Sequence, residues 1–204
     1  MDLAGIFVFS AAYLMATASP GPGTAALVAR VLARGTRGTP AFIAGFILGD
    51  LVWFAIAATG LAVLAQQLAW LFIALKYAGA AYLLWLAWKF WTAPAAPVSA
   101  DAATPADGAP RLFLAGLLIT LGNPKVILFF VALLPAVIDM TQLTPLAYLE
   151  LTVLIALILG TVLAAYTLAA AQARRAFTSP SAVRVMNRGA GVAMAGAAAA
   201  IATR

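Results

Sequence analysis

The sequence predicts an all-α integral membrane protein, six transmembrane helices forming two three-helix repeats of inverted topology. Three observations carry that reading. Of 204 residues, 65% are hydrophobic and 9% are charged, where a soluble domain carries roughly a quarter of charged residues. A chain this apolar lacks the polar surface that a water-soluble domain of its size needs. Apolar runs recur at about the 20-residue length that crosses a bilayer, and the basic residues gather in alternate loops between them.

The first run extends from Leu3 to about Ala29 and is broken at Ser19-Pro20-Gly21-Pro22-Gly23. The second starts near Pro40 and ends around Leu64; the third goes from about Leu68 to Trp91. Residues 92–110 are rich in Ala and Pro, include Asp101 and Asp107, and have no large apolar cluster. That is the composition of a flexible extramembrane linker. The fourth run is Leu112 to Ile138, the fifth about Pro145 to Ala171, and the sixth roughly Val185 to Thr203. The sixth is the weakest, because Arg188 leaves only about 15 clean apolar residues, near the lower limit for a span. Its Gly189, Gly191 and Gly196 suit close helix packing, and five spans is the fallback. Asp2 and the absence of a basic n-region argue against a cleaved signal peptide. The expected organisation is a first repeat over 1–91, a cytoplasmic linker over 92–110 and a second repeat over 111–204.

Orientation follows from the cations. Arg30, Arg34 and Arg37 lie between the first two runs, Lys89 and Arg111 bracket the linker, and Arg174, Arg175, Arg184 and Arg188 lie between the fifth and sixth. Nine of the twelve basic residues therefore share one side, against Arg204 alone on the other. The positive-inside rule makes that side cytoplasmic and puts both termini on the outer side. The pI near 10.2 thus reports topology, and no nucleic-acid partner is expected.

With three spans each, the halves insert in opposite senses. The first span of each is broken by proline, at Pro20 and Pro22 in one and at Asn123-Pro124-Lys125 in the other. Each second span carries a comparable pair, Gly49-Asp50 against Gly160-Thr161. Proline removes a backbone donor, and the carbonyls it frees must find other partners in a membrane. Matched breaks in corresponding spans point to a midplane binding site of an alternating-access transporter.

Composition excludes much chemistry. The chain has no histidine and no cysteine, so imidazole catalysis, thiol catalysis, disulfides and thiolate metal sites are out. The six carboxylates are scattered, so no metal and no cofactor is expected. Asp50 is the exception in placement: it lies about 13 residues beyond Arg37, roughly 20 Å along a helix, near the bilayer midplane. A carboxylate there costs at least about 2.5 kcal/mol unless paired, hydrated or protonated, which suits a proton carrier or a counter-charge. Gly45 and Gly49 beside it would admit another helix. Lys125 sits at comparable depth, where it could pair with Asp50 or attract a substrate carboxylate. Lys76 lies closer to the outer end of the third span, as an intramembrane charge partner or a snorkelling side chain. Arg30, Arg34 and Arg37 read as topology determinants, and Trp53, Trp70, Trp85, Trp88 and Trp91 as mostly interfacial or lipid-facing anchors.

In this order the residues resemble the lysine exporter (LysE/RhtB) family of amino-acid efflux proteins over nearly the whole chain. The resemblance is carried by Ser19-Pro20-Gly21-Pro22, the basic turn Arg34-Gly35-Thr36-Arg37-Gly38, and Gly45 with Leu48-Gly49-Asp50. It continues through Leu75-Lys76-Tyr77-Ala78-Gly79-Ala80-Ala81-Tyr82-Leu83, Asn123-Pro124-Lys125 and Leu134-Pro135. It implies export of amino acids or related small metabolites across a bacterial inner membrane, which makes the outer side of both termini periplasmic, and marks Pro20, Gly21, Pro22, Asp50, Lys76, Asn123, Pro124 and Lys125. One departure concerns Gly23, where the family commonly has Asn.

The expectation is a secondary exporter with a midplane substrate site at Pro20, Gly21, Pro22, Gly23, Asn123, Pro124 and Lys125, and proton coupling at Asp50. No G-x-x-x-x-G-K loop is present, so an ion gradient is the expected energy source. Its partners are a small amino-acid-like substrate and the lipid bilayer, and its Gly/Ala-rich faces permit a homodimer. The rival readings are a membrane-embedded enzyme on a lipid substrate, which would need clustered carboxylates, and a non-transporting scaffold.

Overall fold

The computed structural model describes residues 3–59, 108–134, 143–175 and 180–203, with Tyr77, Ala80, Ala81, Leu84, Trp85, Ala87, Trp88, Trp91, Thr92 and Ile138. Every regular element among them is helical. In chain order these are α1 (Leu3–Ala18), α2 (Pro22–Arg34), α3 (Thr39–Ala58), α4 (Ala109–Leu121), α5 (Pro124–Leu128), α6 (Pro145–Arg175) and α7 (Pro180–Thr203). A π-helical turn, Phe129–Leu133, continues α5. The described residues of the third apolar run are helical up to Trp91. Lys76, Trp70 and most of the 92–110 linker lie outside the described residues.

The prolines start helices. Each of α2 to α7 has proline at its first or second position, where the missing N–H is not needed and the fixed φ suits the first turn. The two expected breaks are therefore sharp restarts. α1 and α2 meet at 54°, and α4 meets the segment Pro124–Val131 at the same angle, 54°. By length and apolarity α3 and α6 can each cross a bilayer, and so can each bent pair taken as one span. The 24 residues of α7 reach about 36 Å, but Arg184, Asn187 and Arg188 interrupt its first half.

α3 packs most extensively on α4, and glycine sets the distance. A Cβ on Gly45 would run into the Phe113 carbonyl, and one on Gly116 into the Phe42 carbonyl. A Cβ on Gly49 would lie 2.6 Å from the Cβ of Thr120. Small residues let the two backbones touch, the usual way to gain van der Waals contact inside a membrane. α2 packs on α6 and α7, while α1 and α3 pack on α6. Of the three glycines expected to serve packing in α7, a Cβ on Gly191 would lie 3.1 Å from the Ala87 carbonyl oxygen, while one on Gly189 or Gly196 would meet nothing within 4 Å among the described residues.

The α2–α3 turn uses Gly35 and Gly38 at φ 73° and 78°, a region that glycine enters without a Cβ penalty. Arg174 packs against Gly35, and Leu112 against Gly38. The starts or ends of α2, α4 and α6 are thereby gathered at one end of the molecule, and with them Arg30, Arg34, Arg37, Arg111, Arg174 and Arg175.

Two sequence expectations change here. Trp53 is not a lipid anchor but core, 1% exposed. It falls on the buried stripe of α3 formed by Phe46, Gly49, Asp50, Phe54 and Ala57, whose three- and four-residue spacing defines one helix face. Trp88 and Trp91 are exposed as expected, and Trp85 lies under the Arg111 guanidinium at 4.9 Å. Arg30 does more than mark topology. It is 7% exposed and donates to the carbonyls of Gly35 at 3.4 Å and Arg37 at 2.9 Å, so it holds the basic turn closed.

Candidate functional site

Both restarts open onto one cavity of about 60 Å³. A single water needs about 10–15 Å³ by the same kind of measure, so the cavity holds several waters or a small polar group. α1 contributes Tyr13 and Thr17, the first break Ser19 and Gly21, the first turn of α2 Gly23, α3 Phe46 and Asp50, and the second break Asn123 and Lys125. The rest of its wall is largely apolar, with Phe129 and Phe130 from the π-helical turn and Leu159 and Leu163 from α6. π-helical turns recur at functional sites.

Asp50 is 3% exposed and accepts a 2.6 Å hydrogen bond from the Tyr13 hydroxyl. A bond this short to a carboxylate is of the strong, charge-assisted kind. The Tyr13 ring is fixed by its neighbours: it stacks on Phe9 at 5.6 Å and meets Phe129 and Phe130 at 5.2 and 5.9 Å. Its hydroxyl is thus aimed at Asp50 by packing.

Lys125 reaches the other way. Its ammonium donates to the Ser19 carbonyl at 2.5 Å and the Ser19 hydroxyl at 2.7 Å. Ser19 ends α1, where unsatisfied carbonyls and the helix dipole favour a cation. The Tyr166 hydroxyl donates at 2.8 Å to the Ala18 carbonyl, which Pro22 leaves without its helical donor, and the Ser19 hydroxyl donates at 3.3 Å to the Ala16 carbonyl, which Pro20 leaves in the same way. At the second break Asn123 caps α5, its side-chain oxygen accepting from the Lys125 amide at 3.1 Å. At the first, Thr24 closes on Gly21, accepting from its amide at 2.8 Å.

Of the residues singled out in the sequence, Gly21, Gly23, Asp50, Asn123 and Lys125 line the cavity together. Pro22 and Pro124 head α2 and α5 behind it, and Pro20 is exposed. Asp50 and Lys125 share the cavity without an ion pair; each is held by a neutral partner, Tyr13 in α1 and Ser19 just beyond its end. The matched pair on α6 is not equivalent, since Thr161 is exposed where Asp50 is buried. Tyr13, Tyr166 and Phe46 were not singled out from the sequence. A phenolic hydroxyl inside an apolar run is a signal that would have found both tyrosines; nothing in the local sequence distinguishes Phe46.

The LysE type translocator family model matches residues 14–204. The chain is 34% identical over 170 residues to an uncharacterized membrane protein of Vibrio cholerae, covering 83% of this chain and 82% of that one. It is 31% identical over 170 residues to a homoserine/homoserine lactone efflux protein of Salmonella typhimurium, with 83% and 82% covered. A leucine efflux protein of Klebsiella pneumoniae is 33% identical over 126 residues, 62% of this chain and 59% of that protein. No solved structure matches. With nearly the whole length matched, this membrane protein belongs to the LysE type translocator family, a family of efflux transporters and not of enzymes.

Proposed function

We propose that the chain exports neutral amino acids, or small metabolites of the same build, by secondary transport driven by a proton gradient, with the cavity between the two breaks as its midplane site. One observation carries the reading: a carboxylate and an ammonium line the same small cavity, each held by a neutral partner instead of by the other. That is the arrangement a zwitterion fits. The α-ammonium of a substrate takes Asp50, and its α-carboxylate draws Lys125 away from Ser19. The first turn of α2 faces the same space, and its leading N–H groups have no intrahelical acceptor. Those amides and the positive end of the helix dipole add to the attraction for the carboxylate.

Relatives named for leucine and for homoserine efflux handle amino acids with uncharged side chains, in keeping with a cavity whose two charges are both taken by the backbone ends of the substrate. The proton is the coupling ion because Asp50 is the one described carboxylate in the cavity. It carries a proton inward on the return step and releases it before the next ammonium binds. The equal 54° bends of α1–α2 and α4–α5 support two inverted halves rocking about this site. The basic segments gathered at one end support a cytoplasmic face there, with both termini outside an inner membrane spanned six times.

The test is export from vesicles reconstituted with the full chain, under imposed pH or sodium gradients and with a panel of amino acids. A pH gradient drives export of neutral amino acids in the wild type, and Asp50→Asn abolishes coupled export while the protein still inserts. Wild-type rates in Asp50→Asn vesicles would overturn the assignment.

A further inference from the structure

We infer that Gly23 and Phe46 together form the side-chain end of the substrate site and set the size of the amino acid carried. This rests on the cavity being the substrate site. Gly23 is buried in the first turn of α2 and faces α3. A Cβ on it would lie 2.6 Å from Phe46 Cε1 and 3.4 Å from Cζ. The Phe46 ring therefore occupies the space that a side chain at position 23 would need. The backbone does not require glycine there: positive φ among the described residues is confined to Gly35 and Gly38. Glycine is a poor helix former, so what favours it at this position is the ring.

Phe46 is itself held in place. It is buried and meets Phe42 edge-on at 5.0 Å and 90°, while Gly23 takes its other side. It sits one helical turn before Asp50 on the same face of α3. A substrate whose ammonium meets Asp50 thus presents its side chain to Phe46 and to the apolar wall of Phe130, Leu159 and Leu163. With Asp50 and Lys125 occupied by the backbone ends, a charged side chain would be buried without a counter-charge, which is strongly unfavourable. The class selected is short aliphatic or hydroxylated side chains, and the ring decides how long.

An extra methylene in an apolar pocket changes discrimination by about 10–200-fold, which sets the scale of the test. Reconstituted vesicles of the full chain are compared in counterflow with alanine, threonine, leucine, phenylalanine and lysine. The wild type carries threonine and leucine in preference to phenylalanine and lysine. Phe46→Ala raises phenylalanine relative to threonine by about tenfold or more. Gly23→Ala drives the ring into the cavity and lowers leucine relative to alanine by a similar factor. Gly23→Ala combined with Phe46→Ala restores leucine, because the ring that the new methyl would strike has gone. Phe46→Leu, a milder truncation, shows the same direction if Phe46→Ala inserts poorly. An unchanged order of substrates in the inserted variants, or additive effects in the double variant, overturns the inference. If the wild type carries none of the amino acids, it is the proposed function that fails.

Discussion

Tyr13 and Ser19 give the two charges of the cavity their partners. An unpaired carboxylate in the bilayer costs several kcal/mol, and a hydrogen bond to a charged group returns about 1.5–3 kcal/mol. Tyr13→Phe removes the hydroxyl from Asp50 and keeps the ring among Phe9, Phe129 and Phe130. Export in vesicles then falls about tenfold or more, at 1.4 kcal/mol per factor of ten, and the melting midpoint in detergent drops by about 2–4 °C per kcal/mol of the lost bond, while the protein still inserts. Lys125 has a different signature. Lys125→Ala raises the KM for free amino acids by about tenfold but leaves that for the corresponding amides, which lack a carboxylate, nearly unchanged. Competition between leucine and leucinamide reads this, and an equal loss for both would argue against Lys125 as the carboxylate partner.

The elements meet through missing side chains. Gly45 and Gly116 face each other's helix across the α3–α4 crossing, each against a carbonyl three residues before the other glycine. A backbone carbonyl cannot rotate away as a side chain can. Gly45→Ala therefore separates the helices, at a cost of about 1–3 kcal/mol for overpacking, and lowers the melting midpoint in detergent by about 2–4 °C per kcal/mol. Gly160→Ala is the control: among the described residues its new methyl would meet only Ile47 Cδ1, at 3.7 Å, an ordinary contact, and its midpoint stays at the wild-type value. The same crossing holds Asp50 in place, since Gly49 is packed on Thr120 just ahead of the second break.

At the scale of the whole molecule, the contacts of Arg174 with Gly35 and of Leu112 with Gly38 bring the basic segments together. A chain with no cysteine is suited to mapping which side that is. Single cysteines at the exposed positions Thr36 and Thr144 lie on opposite faces in the proposed orientation. An impermeant thiol reagent added to intact cells labels Thr144→Cys and not Thr36→Cys; the reverse pattern would invert the topology. Arg30 belongs to this scale as well, because its bonds to Gly35 and Arg37 shape the turn on which α4 and α6 close.

Local chemistry determined most of the architecture before any contact was known. Apolar run length gave the helices, proline placed their starts, and the loop cations gathered where the fold brings them together. Family membership was legible from the ordered motifs around Pro22, Asp50 and Lys125. Tertiary structure alone decided which groups meet. Asp50 and Lys125 share a depth in the sequence, and simple charge attraction favours their pairing. In the structure Lys125 instead turns to the C-terminal carbonyls of α1, and Asp50 takes a hydroxyl seven residues before Pro20. Trp53 reads as an interfacial or lipid-facing anchor and Phe46 as an ordinary apolar residue, whereas the buried stripe of α3 turns both inward. The reason is the same in each case. Periodicity and hydropathy specify an element and its depth in the membrane, and Gly45 and Gly49 marked in the sequence a face open to another helix, whereas which helix crosses there, and so which side chains meet, is decided by contacts between segments distant in sequence.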